Sequence, residues 1–344
     1  MANIQKKGGN HSFLTTNFVL LQKLNRNAVK YMKVYIIIPC YNEEAVIEET
    51  ALQLTAVLDE MISNGQICAE SRIVFVNDGS KDNTWSIIQR IFETNQYVCG
   101  INLANNSGHQ NTLMAGLTAT KEQADAFITI DADLQDDIHI IPQMVSLFSQ
   151  GIDIVFGVRK QRESDTFLKR NTALMFYRLM NSLGAKTIYN HADFRLMSKR
   201  AVKQLLSYRE RNLFLRGIVP LIGYKTEKIY FDRNKRFAGE TKYSFFKMLN
   251  FAIDGITSFS IKPVRMVFAL GVIFILISFL ILIWVLMAYF TKKAVPGWAS
   301  LMLSLWLVGG CVLVGLGIVG EYVGKIYTEV KDRPRFNIES SLIK

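Results

Sequence analysis

Two long charge-free runs, Met266–Phe290 and Ala299–Gly320, constrain this chain more than any other feature. Each holds at least the roughly 20 apolar residues needed to cross a hydrocarbon core about 30 Å thick. Neither contains Asp, Glu, Lys, Arg or His, which excludes a wholly water-soluble protein. The connection Thr291–Trp298 is short and carries Pro296-Gly297 as turn material, so the runs read as a transmembrane hairpin with both ends on one side. Lys262 and Arg265 flank its entrance, and Lys325, Lys331, Arg333 and Arg335 follow its exit. The positive-inside tendency puts both ends in the cytoplasm, with Lys292 and Lys293 of the connection weakening the contrast. Small residues at Gly309, Gly310, Gly315, Gly317, Gly320 and Gly324 permit close helix packing, within the hairpin or between protomers. Trp298 and Trp306 suit interfacial or packing positions.

The net charge of +11 over 344 residues suggests an anionic partner, but it averages two opposed regions. Residues 34–157 carry 4 basic and 17 acidic side chains, a net of −13, whereas residues 158–265 carry 23 basic and 8 acidic, a net of +15. Cys40, Cys68, Cys99 and Cys311 form no CxxC and have no His at ligand spacing, so neither a zinc site nor a disulfide framework is indicated. The first 33 residues hold six Lys or Arg, no acid and no uninterrupted apolar stretch, which predicts a flexible basic arm over 1–32 rather than a signal peptide.

From Val34 onward, β-branched runs alternate with helical segments, the pattern of an α/β domain with a mostly parallel sheet. The expected strands are Val34–Ile38, Arg72–Val76, Val98–Leu103, Ala126–Ile130 and Asp153–Phe156. Between them lie helices at Glu44–Ser63, Asn83–Thr94, His109–Thr120 and Ile138–Phe148, long enough to be crossovers. Beyond Gly157 basic helices are expected at Asp165–Leu183, Lys199–Tyr208 and Leu213–Ile222, then a strand at Lys225–Phe231. Lys242–Ser260 places Phe245, Met248, Leu249, Ala252, Ile256 and Phe259 on one stripe, which fits a helix lying in the membrane interface or one packed on a protein core.

Ligands of open α/β sheets sit beyond the carboxyl ends of the strands, and the polar clusters fall there: Cys40-Tyr41-Asn42-Glu43, Asn77-Asp78-Gly79-Ser80 and Asp131-Ala132-Asp133. The carboxylates of Asp131 and Asp133, at the end of an apolar strand, could surround a hard divalent cation, or form a solvated loop before the next helix. Asp78 stands where it could accept hydrogen bonds from a base or ribose, although Asn-Asp-Gly-Ser is also an ordinary turn. Arg159 and Arg195 are candidates to hold a diphosphate or a phosphorylated acceptor, or equally to be ion-pair partners. His109, His139 and His191 lack a common metal-ligand spacing and are not expected as ligands.

The ordered motifs Ile37-Ile-Pro39-Cys-Tyr41-Asn42-Glu43-Glu44, Asn77-Asp78-Gly79-Ser80, Asn106-Ser-Gly108-His-Gln110 and Asp131-Ala-Asp133-Leu-Gln135-Asp136 resemble those of inverting family 2 glycosyltransferases with the GT-A fold. Asp193-Phe-Arg195-Leu-Met and Arg236-Phe-Ala-Gly239-Glu-Thr-Lys242-Tyr243, followed by two spans, resemble the polyprenyl-phosphate branch, which includes bactoprenol glucosyltransferases and dolichyl-phosphate mannose synthase. Asp137-Ile138 stands where Pro is usual, and Thr241 where Ser is common. The resemblance implies a GT-A-type domain over 33–235, an interfacial segment over 236–263, a transmembrane hairpin over 264–324 and a cytoplasmic tail over 325–344.

It further implies that Pro39, Tyr41, Glu43 and Asp78 contact the nucleoside, and Arg159 is the residue-level candidate for the donor's diphosphate. Asp131 would lie near the ribose and diphosphate, and Asp133 would bind Mg2+ or Mn2+ with Asp131 and Gln135. Arg195, Arg236 and Lys242 would take the lipid phosphate, and Asp193 would be a catalytic base or only orient Arg195. The implied reaction is metal-dependent, inverting transfer of a hexose from a nucleotide-sugar, UDP-linked, to undecaprenyl phosphate at the cytoplasmic face of the inner membrane. A homo-oligomer, a flippase and a downstream glycosyltransferase are the expected partners, and nucleic acid is not. A processive polysaccharide synthase would need more spans and a QxxRW-like motif, and neither occurs. A non-catalytic nucleotide-sugar scaffold would not need the Asp131/Asp133 pair.

Overall fold

The computed structural model describes residues 32–160, 191–211, 213–232, part of 264–283 and 297–344. The basic arm, the helix expected at Asp165–Leu183 and the Lys242–Ser260 stripe lie outside the described residues.

The first strand, β1 (Val34–Cys40), is buried along its whole length, as a central strand covered on both faces must be. Its side chains divide with the period of two. Val34, Ile36 and Ile38 join one core with Ile47, Ala51, Leu54, Leu58 and Met61 of helix α1 (Ile47–Ser63). Tyr35 and Ile37 join the other with Leu113, Met114 and Leu117 of α3 (His109–Thr120). Parallel partners β2 (Arg72–Asn77) and β4 (Ala126–Thr129) flank β1, and β3 (Val98–Leu103) extends the sheet beyond β2, again parallel. Helix α2 (Thr84–Thr94) and α4 (Ile141–Ser149) lie on the α1 face, where Ile88, Ile141, Met144 and Val145 are buried.

Beyond β4 the sheet departs from the expected parallel order. Its sequence is β7-β5-β6-β4-β1-β2-β3-β8, with β5 (Ile154–Arg159) and β7 (Thr226–Phe231) parallel to each other. Between β5 and β4 runs β6 (His191–Ser198), antiparallel to both. This strand was not expected, because Asp193 and Arg195 interrupt its apolar pattern. Phe194 and Leu196 nevertheless fill one core and Met197 the other. Helix α5 (Lys199–Ser207), capped by the Ser198 hydroxyl, and α6 (Leu215–Leu221) cover the α3 face through Val202, Leu205, Ile218 and Val219.

Helix α7 (Trp298–Val330) has 33 residues, about 50 Å at 1.5 Å per residue. Its Leu307–Val330 part is long and apolar enough to cross a membrane and almost none of it is buried. The described residues among 264–283 are helical, and Val267 lies beside Gly315, where an added Cβ would come within 3.1 Å of its Cγ1. The segment read as a tail then turns back onto the α/β domain. Arg211 donates its backbone N–H to Glu329 (2.6 Å) and pairs with Asp332, and Arg335 donates to the carbonyl of Tyr208 (2.6 Å). Strand β8 (Ile338–Leu342) closes the open edge of β3 in antiparallel register.

Candidate active site

The tips of β1 and β2 are joined by side-chain to backbone hydrogen bonds. Asn42, whose φ of 53° suits Asn better than most residues, donates its N–H to Ser80 Oγ (3.0 Å) and accepts from the N–H of Lys81 (2.9 Å). Glu43 donates its N–H to Thr84 Oγ1 (2.9 Å), and Glu44 accepts from the N–H of Asn83 (3.0 Å). Tyr41 is exposed at this rim, while Pro39 is buried within β1 opposite Val76.

Asp78 accepts from the N–H groups of Ser107 (2.6 Å) and Gly108 (3.0 Å), fastening the loop after β3 to the loop after β2. Burial raises its carboxyl above the usual range, and these two amides oppose the rise. Gly79 is required beside it: at φ +61° its Cα lies so close to the next loop that a Cβ would stand 2.7 Å from the Asn105 carbonyl carbon.

At the end of β4, Thr50 of α1 donates to the carbonyl of Ala132 (2.8 Å), and Asp133 accepts from the N–H of Gln135 (3.2 Å), with Leu134 at φ 54°. This holds the Asp131-Ala132-Asp133 turn in place. Asp131 Oδ1 is buried with no hydrogen-bond partner, and burial together with Asp193 and Asp133 raises its carboxyl, against the attraction of His109. Asp136 is 3% exposed and accepts from both Nε and Nη2 of Arg159 at 3.0 and 2.8 Å. Its pKa is nonetheless pushed up to about 6, by burial first and by Asp131 and Asp133, with Arg159 opposing.

Asp193 and Arg195 belong to the fold's unexpected strand, which brings them beside β4. The carbonyl of Asp193 accepts from Thr129 Oγ1 (2.7 Å), and its carboxylate accepts from Arg195 (2.6 Å) and from Nε and Nη2 of Arg216 (3.3 and 2.9 Å). Burial alone would raise this carboxyl, but the guanidinium groups of Arg216 and Arg195 outweigh it and hold Asp193 well below the usual carboxylate range. Arg195 is 1% exposed, and burial lowers its pKa.

Sequence reasoning missed two members of this cluster. His109 Nε2 lies 3.5 Å from Asp131 Oδ1 and 3.9 Å from Asp193 Oδ2, and Arg216 reaches Asp193 from α6. The signal was the Asn106–Gln110 motif at the start of α3, to which no role was attached. Gly108 binds Asp78, His109 stands between two carboxylates, and Gln110 accepts from the N–H of Leu215 (2.7 Å), tethering the helix that carries Arg216. Arg159 is placed on Asp136, and Arg236 and Lys242 lie outside the described residues.

Among the described residues no three His, Cys, Asp or Glu side chains form a group that could hold a metal by themselves. A magnesium-like ion does not need one, since it binds through one or two carboxylates and completes its shell with substrate phosphate and water. Asp131 Oδ1, buried without a hydrogen bond, 3.5 Å from His109 Nε2 and two residues from Asp133, fits that chemistry.

Residues 35–206 match the family described as glycosyl transferase family 2. The uncharacterized glycosyltransferase YkoT of Bacillus subtilis (strain 168) is 51% identical over 307 residues, covering 89% of this chain and 91% of its own length. A bactoprenol glucosyl transferase of Shigella phage SfX is 38% identical over 311 residues, 90% of this chain and 99% of its own. The prophage bactoprenol glucosyl transferase homolog of Escherichia coli (strain K12) is 37% identical over 310 residues, with the same coverage.

Proposed function

The chain belongs to glycosyl transferase family 2, in its polyprenyl-phosphate branch, and on that premise we propose that it transfers a hexose from a UDP-sugar such as UDP-glucose or UDP-N-acetylglucosamine to undecaprenyl phosphate. The observation that carries this reading is the meeting of two kinds of charge at one sheet edge. Carboxylates at the end of β4 suit a cation-bound diphosphate, and the partly exposed Arg216, anchored with Arg195 on Asp193, suits a second phosphate beside it. Asp131 and Asp133, with Gln135, would hold Mg2+ or Mn2+. Bound there, such an ion neutralises the charge that develops on the departing nucleoside diphosphate.

A phosphate monoester is already largely ionised at neutral pH, its second pKa being about 6, so its oxygen can attack the anomeric carbon without a strong base. Attack from the face opposite the leaving group inverts the configuration. Asp193, held low by two guanidinium groups, is a poor proton acceptor, which favours its role as the organiser of Arg195 and Arg216. Arg236 and Lys242 would add positive charge for the acceptor headgroup. The contact of Val267 with Gly315 supports a second span packed on α7, which would keep the acceptor's phosphate at the height of the site on the cytoplasmic side.

Membranes containing the protein, incubated with a panel of radiolabelled UDP- and GDP-sugars and then extracted with organic solvent, test the reading. Label from one UDP-hexose is expected in a lipid phosphate fraction, and Asp133→Ala is expected to reduce it at least about 100-fold. Label from no donor, or near-normal transfer by Asp133→Ala, would reject the reaction or the metal assignment respectively.

A further inference from the structure

Beyond β3 the returning strand β8 does more than close an edge. Ala104 donates its N–H to the carbonyl of Asn337 (2.9 Å), so the strap leading into β8 holds the start of the loop that carries Ser107 and Gly108. The β3–β8 register shifts between Asn102 and Leu103: Ser340 stands opposite Asn102 and Ile338 opposite Leu103, which leaves Glu339 as the extra, bulged residue. Bulges re-aim side chains, and here Glu339 Oε2 accepts from Asn102 Nδ2 (2.7 Å). Asn102 Oδ1 in turn accepts from Asn77 Nδ2 (2.6 Å), and Asn77 Oδ1 faces the N–H of Ser80 (3.4 Å). Asn77 and Asn102 are both buried.

This relay has a direction. A carboxylate only accepts, so Glu339 forces the amide of Asn102 to present its NH2 outward and its oxygen inward. Asn77 must then present its NH2 to Asn102 and its own oxygen to Ser80. Ser80 is also the residue whose hydroxyl receives the N–H of Asn42, and Asp78, between Asn77 and Ser80, is the nucleoside candidate. We propose that Glu339 is a positioning residue of the donor pocket, acting from the segment beyond the membrane helix through Asn102 and Asn77 on the Asp78 loop. The inference rests on the glycosyltransferase reading only for the name of the ligand that the loop takes.

The test uses the full chain in detergent with Glu339→Gln, Glu339→Ala and Glu339→Lys, and Ser341→Ala as a control on the same strand. Gln keeps an accepting oxygen, Ala removes it, and Lys, which only donates, reverses the polarity of the relay. Hydrogen exchange of the Ser80, Ser107 and Gly108 amides is expected to be unchanged in Gln and the control, faster in Ala and fastest in Lys, with α1 and α2 amides unchanged. The KM for the UDP-sugar is expected to rise about fivefold to tenfold in Ala and further in Lys, with kcat and the KM for lipid phosphate within about twofold. Equal exchange in all variants overturns the proposal, as does exchange that accelerates throughout the domain or a Lys variant no worse than Ala. A wild-type enzyme inert toward every sugar nucleotide would instead overturn the functional reading, and the exchange order would still decide the role of Glu339.

Discussion

Asp136 and Asp193 are both buried carboxylates beside arginine, yet their proton affinities move in opposite directions. Asp193 shares its charge with two guanidinium groups, whereas Asp136 has one, bound through a single oxygen, and two acidic neighbours. The pKa of Asp136, about 6 in the fold against an ordinary 3.8, means that between these two values the folded chain holds a proton the unfolded chain has lost. Its contribution is full below pH 3.8 and is lost as pH rises through 6, at a cost of about 3 kcal/mol. Denaturant unfolding in chelator from pH 4 to 7 is expected to show wild type losing about that much relative to Asp136→Asn, and a pH-independent difference would refute it. Asp193→Asn strands Arg195 as a buried charge with one partner fewer, and a loss of about 3–5 kcal/mol is expected in the same assay. Asp131, Asp133 and Asp78 were legible as strand-tip acids. His109 and Arg216 were not, because they gain their meaning only when α3 and α6 meet over Asp193.

Helix α3 is the element on which the site turns. It reaches the sheet closely because Gly116 has no side chain: an added Cβ would stand 2.6 Å from Ile37 and 2.8 Å from Val76. Gly116→Ala therefore trades a gain in helix propensity, about 1 kcal/mol, against displacement of the helix from two central strands. Net destabilisation of about 1–3 kcal/mol is expected, together with a raised KM for the sugar nucleotide, since Gly108, His109 and Gln110 would shift with their helix. A stabilised Gly116→Ala would show that the interface yields freely. The elements that sequence reasoning placed well, β1 to β5, β7 and the helices α1 to α6, are those whose apolar residues follow a clean period and whose ends carry turn residues. Strand β6 was hidden by the charges it needs for the site. Strand β8 was hidden by exposure, since Ile338–Leu342 buries almost nothing and has no pattern to read.

At the scale of the molecule, the acidic first part supplies the strand tips and the basic second part supplies Arg195 and Arg216, so the opposed charges of the sequence meet around Asp131, His109 and Asp193. The returning C-terminus ties the α/β domain to the apolar helix α7. Arg211 holds Glu329 and Asp332 at the end of α7, β8 pairs with β3, and Lys344 donates to the carbonyls of Phe92 (2.6 Å) and Asn95 (2.9 Å) at the end of α2. A chain ending at residue 263 would lose its apolar helix and also leave β3 as an unpaired edge, which invites aggregation. Such a fragment is expected to leave the membrane fraction and to melt below the full-length protein. A synthetic peptide of residues 336–344 would add back the edge by strand pairing and is expected to raise the fragment's Tm by roughly 3–6 °C, as about 1–2 kcal/mol does in a domain of this size. The same peptide carrying Glu339→Lys should raise it less, because pairing survives but the contact with Asn102 reverses. A fragment that melts like the full chain and ignores both peptides would mean that β8 contributes nothing to the domain it covers.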